Sequence, residues 1–159
     1  MVIKVTCAKA HKDQLCNSDL LKEIASIEEK INRLHFDYPE NSVSFVFVNG
    51  MYIHAERKLA VVCLFVSRLE QAINELSGTL SLTFTEKSAE IAKTTIGFDE
   101  PFMGELLPNQ ALLVQINIPV RGLHHDERIM FSDIVGRFEN VKVTFVKSLH
   151  EGEENWNDR

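Results

Sequence analysis

The chain has 159 residues, 45% of them hydrophobic and 25% charged, an ordinary globular composition with enough apolar material to form a core without disulfides or structural zinc. Collagen-like, mucin-like and wholly disordered chains are excluded. Seventeen Lys and Arg against 23 Asp and Glu give a formal charge of −6, which argues against a broad nucleic-acid or anionic-membrane surface but leaves room for a small local basic site.

The first residues, Val2 to Cys7, alternate as a strand does. A helix is expected from Asn17-Ser18-Asp19, with Ser18 as N-cap and Asp19 favourable to the helix dipole. Its apolar positions are Leu20, Ile24, Ile27, Ile31 and Leu34, while Lys22, Glu23, Glu28, Glu29, Lys30 and Arg33 turn outward. This is the stripe of a surface helix packed on its own sheet. Val43 to Val48 and Met51 to Glu56 then read as two strands joined by Asn49-Gly50, the dipeptide that best tolerates the positive φ of a type I′ turn.

Residues 58 to 77 carry two conflicting signals. Leu59 to Val66 has the residue types of a buried strand, yet Leu59, Val62, Val66, Leu69, Ile73 and Leu76 recur at helical spacing across Ser67 without a breaker. The spacing favours one long helix, ending near Ser77-Gly78. Thr79 to Thr85 alternates strictly and is a strand. Residues 88 to 93 suit a short helix, 111 to 118 a strand ended by Pro119, 126 to 138 a helix, and 141 to 146 a strand.

The expected fold class is therefore α+β. A ferredoxin-like βαββαβ core occupies residues 1–85 and a C-terminal strand-helix-strand unit extends it, with an antiparallel or mixed sheet and helices mainly on one face. Residues 1–148 form a single domain, followed by an acidic tail, 149–159, rich in Glu and carrying Trp156. That fold hosts unrelated activities, so it carries no functional warrant. No motif in the chain identifies a family.

Three cysteines, Cys7, Cys16 and Cys63, form no repeated spacing and read as reduced thiols. The longest apolar run, Leu59 to Val66, falls far short of the roughly 20 residues that span a bilayer. A cytoplasmic location and no membrane partner are expected. There is no phosphate-binding glycine loop, nucleophile elbow, His-Glu-x-x-His or Cys-x-x-Cys, and no cofactor is expected.

Two segments concentrate functional chemistry. The first runs from Gly97 to Asn109, where Asp99, Glu100 and Glu105 alternate with Phe98, Phe102 and Met103 among two glycines and two prolines. Carboxylates beside aromatic and Met side chains suit the docking of a basic protein partner, the apolar groups giving affinity and the acids steering. The competing reading folds the apolar residues back as a lid on the core. The second is Arg121 to Arg128. There His124, His125 and Asp126 are candidate acid–base groups, His124 and His125 candidate metal ligands, and the two arginines candidate anion contacts. A helix start with solvated histidines is the plainer alternative. Weaker candidates are a metal site from Cys7, His11 and Cys16, and a pocket lined by Tyr52, His54 and Glu56.

The leading expectation is a non-enzymatic protein-binding module (an inhibitor, immunity-type or adaptor protein) that docks a basic partner through residues 98–105. The alternative is a small enzyme or ligand-binding regulator using the Arg121–Arg128 cluster. Homo-oligomerisation through an edge strand is a third expectation.

Overall fold

The computed structural model describes residues 2–9, 18–34 and 38–146. In chain order the elements are β1 (Lys4–Cys7), α1 (Ser18–Arg33), β2 (Val43–Ile53), β3 (Lys58–Ser67), β4 (Ile73–Phe84), β5 (Glu90–Ile91), β6 (Thr94–Phe98), α2 (Glu100–Met103), β7 (Gln110–Arg121), β8 (Glu127–Ile129) and β9 (Ile134–Phe145). A 3-10 turn, Phe131–Asp133, joins β8 to β9.

The sheet is mixed and mostly antiparallel. One half is built on β4, which has β9 on one edge and β6 and β5 on the other. Two-residue β5 carries the ladder across to the end of β7, and from there the order runs β7-β3-β2-β8. Among the described residues, only β1 is parallel to its neighbour, β7. The two halves fold over one another around a shared apolar core. Leu59, Val61, Cys63 and Phe65 of β3 meet Ile73, Leu76, Leu80, Leu82 and Phe84 of β4 there. Phe65 is the hub: its ring packs edge-on against Phe45, Phe98 and Phe138, with centroids 5.5, 5.5 and 5.0 Å away. Burial pushes the Cys63 thiol up, so it stays protonated at neutral pH.

The other face of β3 is also covered. Leu64 and Val66 pack with Ile27 and Ile31 of α1, with Ile3 just before β1 and with Val5 inside it. This double burial explains why β3 does not alternate between apolar and polar residues. Residues 58 to 77 are thus two strands and a connection, not the expected helix. A strand apolar on both faces offers a residue at almost every position, so a helical spacing can be traced through it without meaning. Gly78 lies inside β4 and ends nothing.

With that helix absent, the ferredoxin-like order of the first 85 residues is not formed. Other expectations are corrected too. Asn49-Gly50 is no hairpin turn: β2 runs through it with a register shift between Phe47 and Asn49. The chain reverses later, at 54–57, where Arg57 takes a positive φ of 53°. Gly50 sits at a close approach instead, since a Cβ there would lie 3.0 Å from both Ala60 O and Leu59 Cδ1. Residues 88 to 93 give β5 in place of a helix. Residues 126 to 138 give β8, the 3-10 turn and the start of β9, because Ile129 and Ile134 reach the core from strands. Strand β7 continues through Pro119, which pairs with Lys58 without needing an N–H of its own. The helix at Ser18, the alternating strand through Thr79 and the strands at 111–118 and 141–146 form as expected. The acidic tail 149–159 lies outside the described residues.

Helix α1 does more than cover the sheet. Asn32 Oδ1 accepts from Ile3 N at 2.8 Å, its Nδ2 donates to Ile3 O at 2.8 Å, and Glu28 Oε1 accepts from Val5 N at 2.8 Å. Glu28, expected to face solvent, thus satisfies the edge of β1 that faces away from β7, and edge pairing with another chain has no access at those groups. Asn32→Ala leaves both backbone groups of buried Ile3 without these partners, and is expected to cost about 1–3 kcal/mol. Chemical denaturation checks this; a loss below ~0.5 kcal/mol would mean that β1 is held by its ladder alone.

Candidate functional site

A concavity lies where the 54–57 turn, the β5–β6 link and the end of β7 come together, a cleft of about 710 Å³. Several backbone bonds fix its walls. Arg57 N donates to His54 O at 3.2 Å to close the turn, Val120 N donates to Arg57 O at 3.0 Å, and Ala92 N donates to Pro119 O at 3.0 Å. Glu90 stands opposite Arg121 on the β5–β7 ladder. The functional side chains that line the cleft are Tyr52, His54, Arg57, Lys93, Arg121 and His124.

Among the described residues the ion pairs are Lys9–Glu100, Arg68–Glu40 and Lys87–Glu127. None uses Arg57, Lys93 or Arg121. Three basic side chains therefore line this cleft with the single acid Glu90, on a chain whose overall charge is −6. All three are exposed, and like charges gathered in one concavity make a local positive potential.

Tyr52 is buried, and its hydroxyl lies 3.1 Å from His54 Nδ1 and 3.5 Å from Leu123 O. The hydroxyl can donate to Nδ1, or accept from Nδ1–H while donating to Leu123 O. Either way His54 Nδ1 is engaged on its strand side, and Nε2 is the ring atom left for a ligand. The backbone N of His54 donates to Asp126 Oδ1 at 2.8 Å, so the carboxylate pins the loop after β7 to the turn before β3.

The structure divides the Arg121–Arg128 cluster. Arg121 and His124 line the cleft. His125 is exposed and does not line it. Asp126 holds His54 through its backbone, and Glu127 is paired with Lys87, whose ammonium that hydrogen bond holds above its ordinary range. Among the described residues no three His, Cys, Asp or Glu side chains are grouped as a metal would need. Cys7 is buried, while His11 and Cys16 lie outside the described residues. Of the weaker trio, Tyr52 and His54 belong to the cleft and Glu56 does not line it.

Residues 98 to 105 are placed as follows. Phe98 and Met103 are buried, and Phe102 stacks on Phe98 with centroids 5.3 Å apart. Asp99 Oδ1 caps α2 by accepting from Phe102 N at 3.1 Å, and Glu100 pairs with Lys9 at 2.6 Å. Glu105 is exposed. Leu106 is buried and bonded to Ile73 in both directions, while Leu107 is 46% exposed. The apolar part of the segment thus extends the aromatic core, as the lid reading has it. Glu105 and Leu107 are exposed, as are Asp99, Pro101, Pro108 and Asn109.

No family profile matches the chain, and no curated protein or solved structure is significantly similar to it. No helix among the described residues is long and apolar enough to cross a membrane.

Sequence reasoning flagged Arg121, His124, Tyr52 and His54 but missed Arg57 and Lys93. Each is one ordinary basic residue in a polar connection, and only the fold brings it beside the others.

Proposed function

We propose that the chain is a non-covalent binding module that takes an anionic ligand in the cleft between the 54–57 turn, the β5–β6 link and the end of β7. The carrying observation is that Arg57 from the 54–57 turn, Lys93 from the β5–β6 link and Arg121 from the end of β7 line one cleft with one acid among them. Cations left without carboxylate partners on an acidic protein favour an anion from outside.

Titration of the isotope-labelled protein with acetate, inorganic phosphate and pyrophosphate at fixed ionic strength tests this by NMR. At least one anion is expected to shift the amides around Arg57, Lys93 and Arg121 saturably. The double variant Arg57→Glu/Arg121→Glu should weaken that anion by about tenfold or more, on the order of 1.4 kcal/mol. Absence of saturable shifts with all three anions, and with phenyl phosphate and benzoate besides, defeats the reading.

A second reading keeps protein docking to a basic partner, supported by the exposed pair Glu105 and Leu107 beside half-buried Phe102. Such an interface weakens with added salt and with Glu105→Lys or Leu107→Asp. A co-purifying partner whose affinity ignores all three counts against it.

A further inference from the structure

The cleft's charge, size and wall chemistry together narrow the ligand class, on the footing that the cleft takes an anion at all. We infer that it accepts a small organic phosphate monoester, the phosphoryl group held by Arg57, Lys93 and Arg121 and the carbon portion lying against Ile91, Pro119 and Leu123.

Charge gives the first argument. A monocarboxylate carries one negative charge and is satisfied by one guanidinium fork. The cleft offers two guanidinium groups and an ammonium, of which Glu90 offsets one. The surplus matches the charge of a phosphate monoester, about −1.5 to −2 at neutral pH. Three phosphoryl oxygens also give each of the three cations an acceptor.

Placement gives the second. The Arg57–Val120 and Ala92–Pro119 bonds, and the Glu90–Arg121 register, keep the three cation-bearing segments on neighbouring backbone tracks. Adjacent tracks are about 4.8 Å apart, and long Arg and Lys side chains span that spacing to converge on one group. Arg121 stands in β7, and Arg57 and Lys93 stand in short connections bonded to that strand or its neighbour, which limits the ordering cost of binding.

Size and apolarity give the third. A volume of about 710 Å³ lies within the range of roughly 300–1,000 Å³ that small-ligand sites occupy, well beyond what a bare phosphate ion fills. Ile91, Pro119 and Leu123 supply an apolar wall beside the cations. His54 contributes from the rim: with Nδ1 held at Tyr52, protonated Nε2 is a donor to a phosphoryl oxygen when the hydroxyl donates to Nδ1, and equally in the imidazolium.

The test compares phenyl phosphate, inorganic phosphate and benzoate at matched ionic strength, read by amide shifts in the labelled protein and by the phosphorus resonance of the ligand. Phenyl phosphate is expected to bind about tenfold tighter than benzoate, and measurably tighter than inorganic phosphate, with shifts at Arg57, Lys93 and Arg121. Arg121→Gln, at an exposed position, should weaken phenyl phosphate about tenfold, whereas Glu90→Gln should tighten it by about twofold as the opposing charge is lost. Equal affinity for benzoate and phenyl phosphate would overturn the phosphate assignment while leaving the anion cleft standing. Equal affinity for the two phosphates would overturn the role of the apolar wall. Failure of all three probes, together with acetate and pyrophosphate, overturns both readings.

Discussion

Phe65→Ala is expected to lower the thermal midpoint by on the order of 10 °C. The Phe65 ring is wholly buried and sits edge-on to three others, from β2, β6 and β9. Truncation removes its transfer energy and leaves a cavity whose walls belong to both halves of the sheet, so no single shift can close it. Such a substitution costs about 3–5 kcal/mol, a large fraction of the roughly 5–15 kcal/mol that holds a domain together, and at this chain length each kcal/mol moves the midpoint by about 2–4 °C. Phe65→Leu keeps most of the volume and should cost well under half as much. Calorimetry of the two variants decides the matter. A change below ~0.5 kcal/mol for Phe65→Ala would mean that the aromatic hub does not exist.

The same residue shows why part of the fold was hidden in the sequence. Phe65 lies in an apolar run whose members face two different covers, the β4 side of the core and helix α1. Local pattern records how many residues are buried, not against what, and a strand buried on both faces loses the alternation that identifies strands. Strand β4 was legible from Thr79 onward because its outer face there carries Thr79, Ser81 and Thr83, none of them buried, whereas Ile73 and Leu76 were absorbed into the helical spacing. Helix α1 was legible because a single stripe faces the sheet. Asn49-Gly50 misled for another reason. The dipeptide has two physical uses, a turn with positive φ and a close approach of backbones, and only the position of Leu59 and Ala60 across the ladder selects the second.

The candidate site was half legible on similar grounds. Arg121 and His124 stand in a run dense in titratable groups, which draws attention without any tertiary information. Arg57 and Lys93 reach the cleft only because β3 and β5 both pair with β7, a long-range fact no window of sequence contains. In the 97–109 segment the sequence offered Phe98 and Phe102 equally to a partner or to the core. The decision came from Phe65, which provides a ring for Phe98 to meet, and Phe102 follows by stacking on Phe98.

Gly136→Val should destabilise the protein although it replaces the weakest strand former by one of the strongest. In an open strand this exchange gains up to about 1 kcal/mol, because valine loses less backbone freedom and favours the pleat. At 136 the sign is reversed by space. A Cβ there would lie 2.6 Å from both Cδ1 and Cε1 of Phe45 and 3.0 Å from Cδ2 of Leu82. The Phe45 ring cannot retreat inward, since it rests edge-on against Phe65 at 5.5 Å, and Leu82 stands directly opposite Gly136 on the β4–β9 ladder. Overpacking of this kind costs about 1–3 kcal/mol, with the β-branched methyls adding to the crowding that alanine would already cause. The expected order of stability is therefore glycine, alanine, valine. Phe45→Leu in the Gly136→Val background removes the ring that the new side chain strikes, so the double variant should be more stable than the sum of the two single losses implies. Additive losses would show that valine is accommodated by movement of β9 away from β2, and that Gly136 does not set the distance between the two strands.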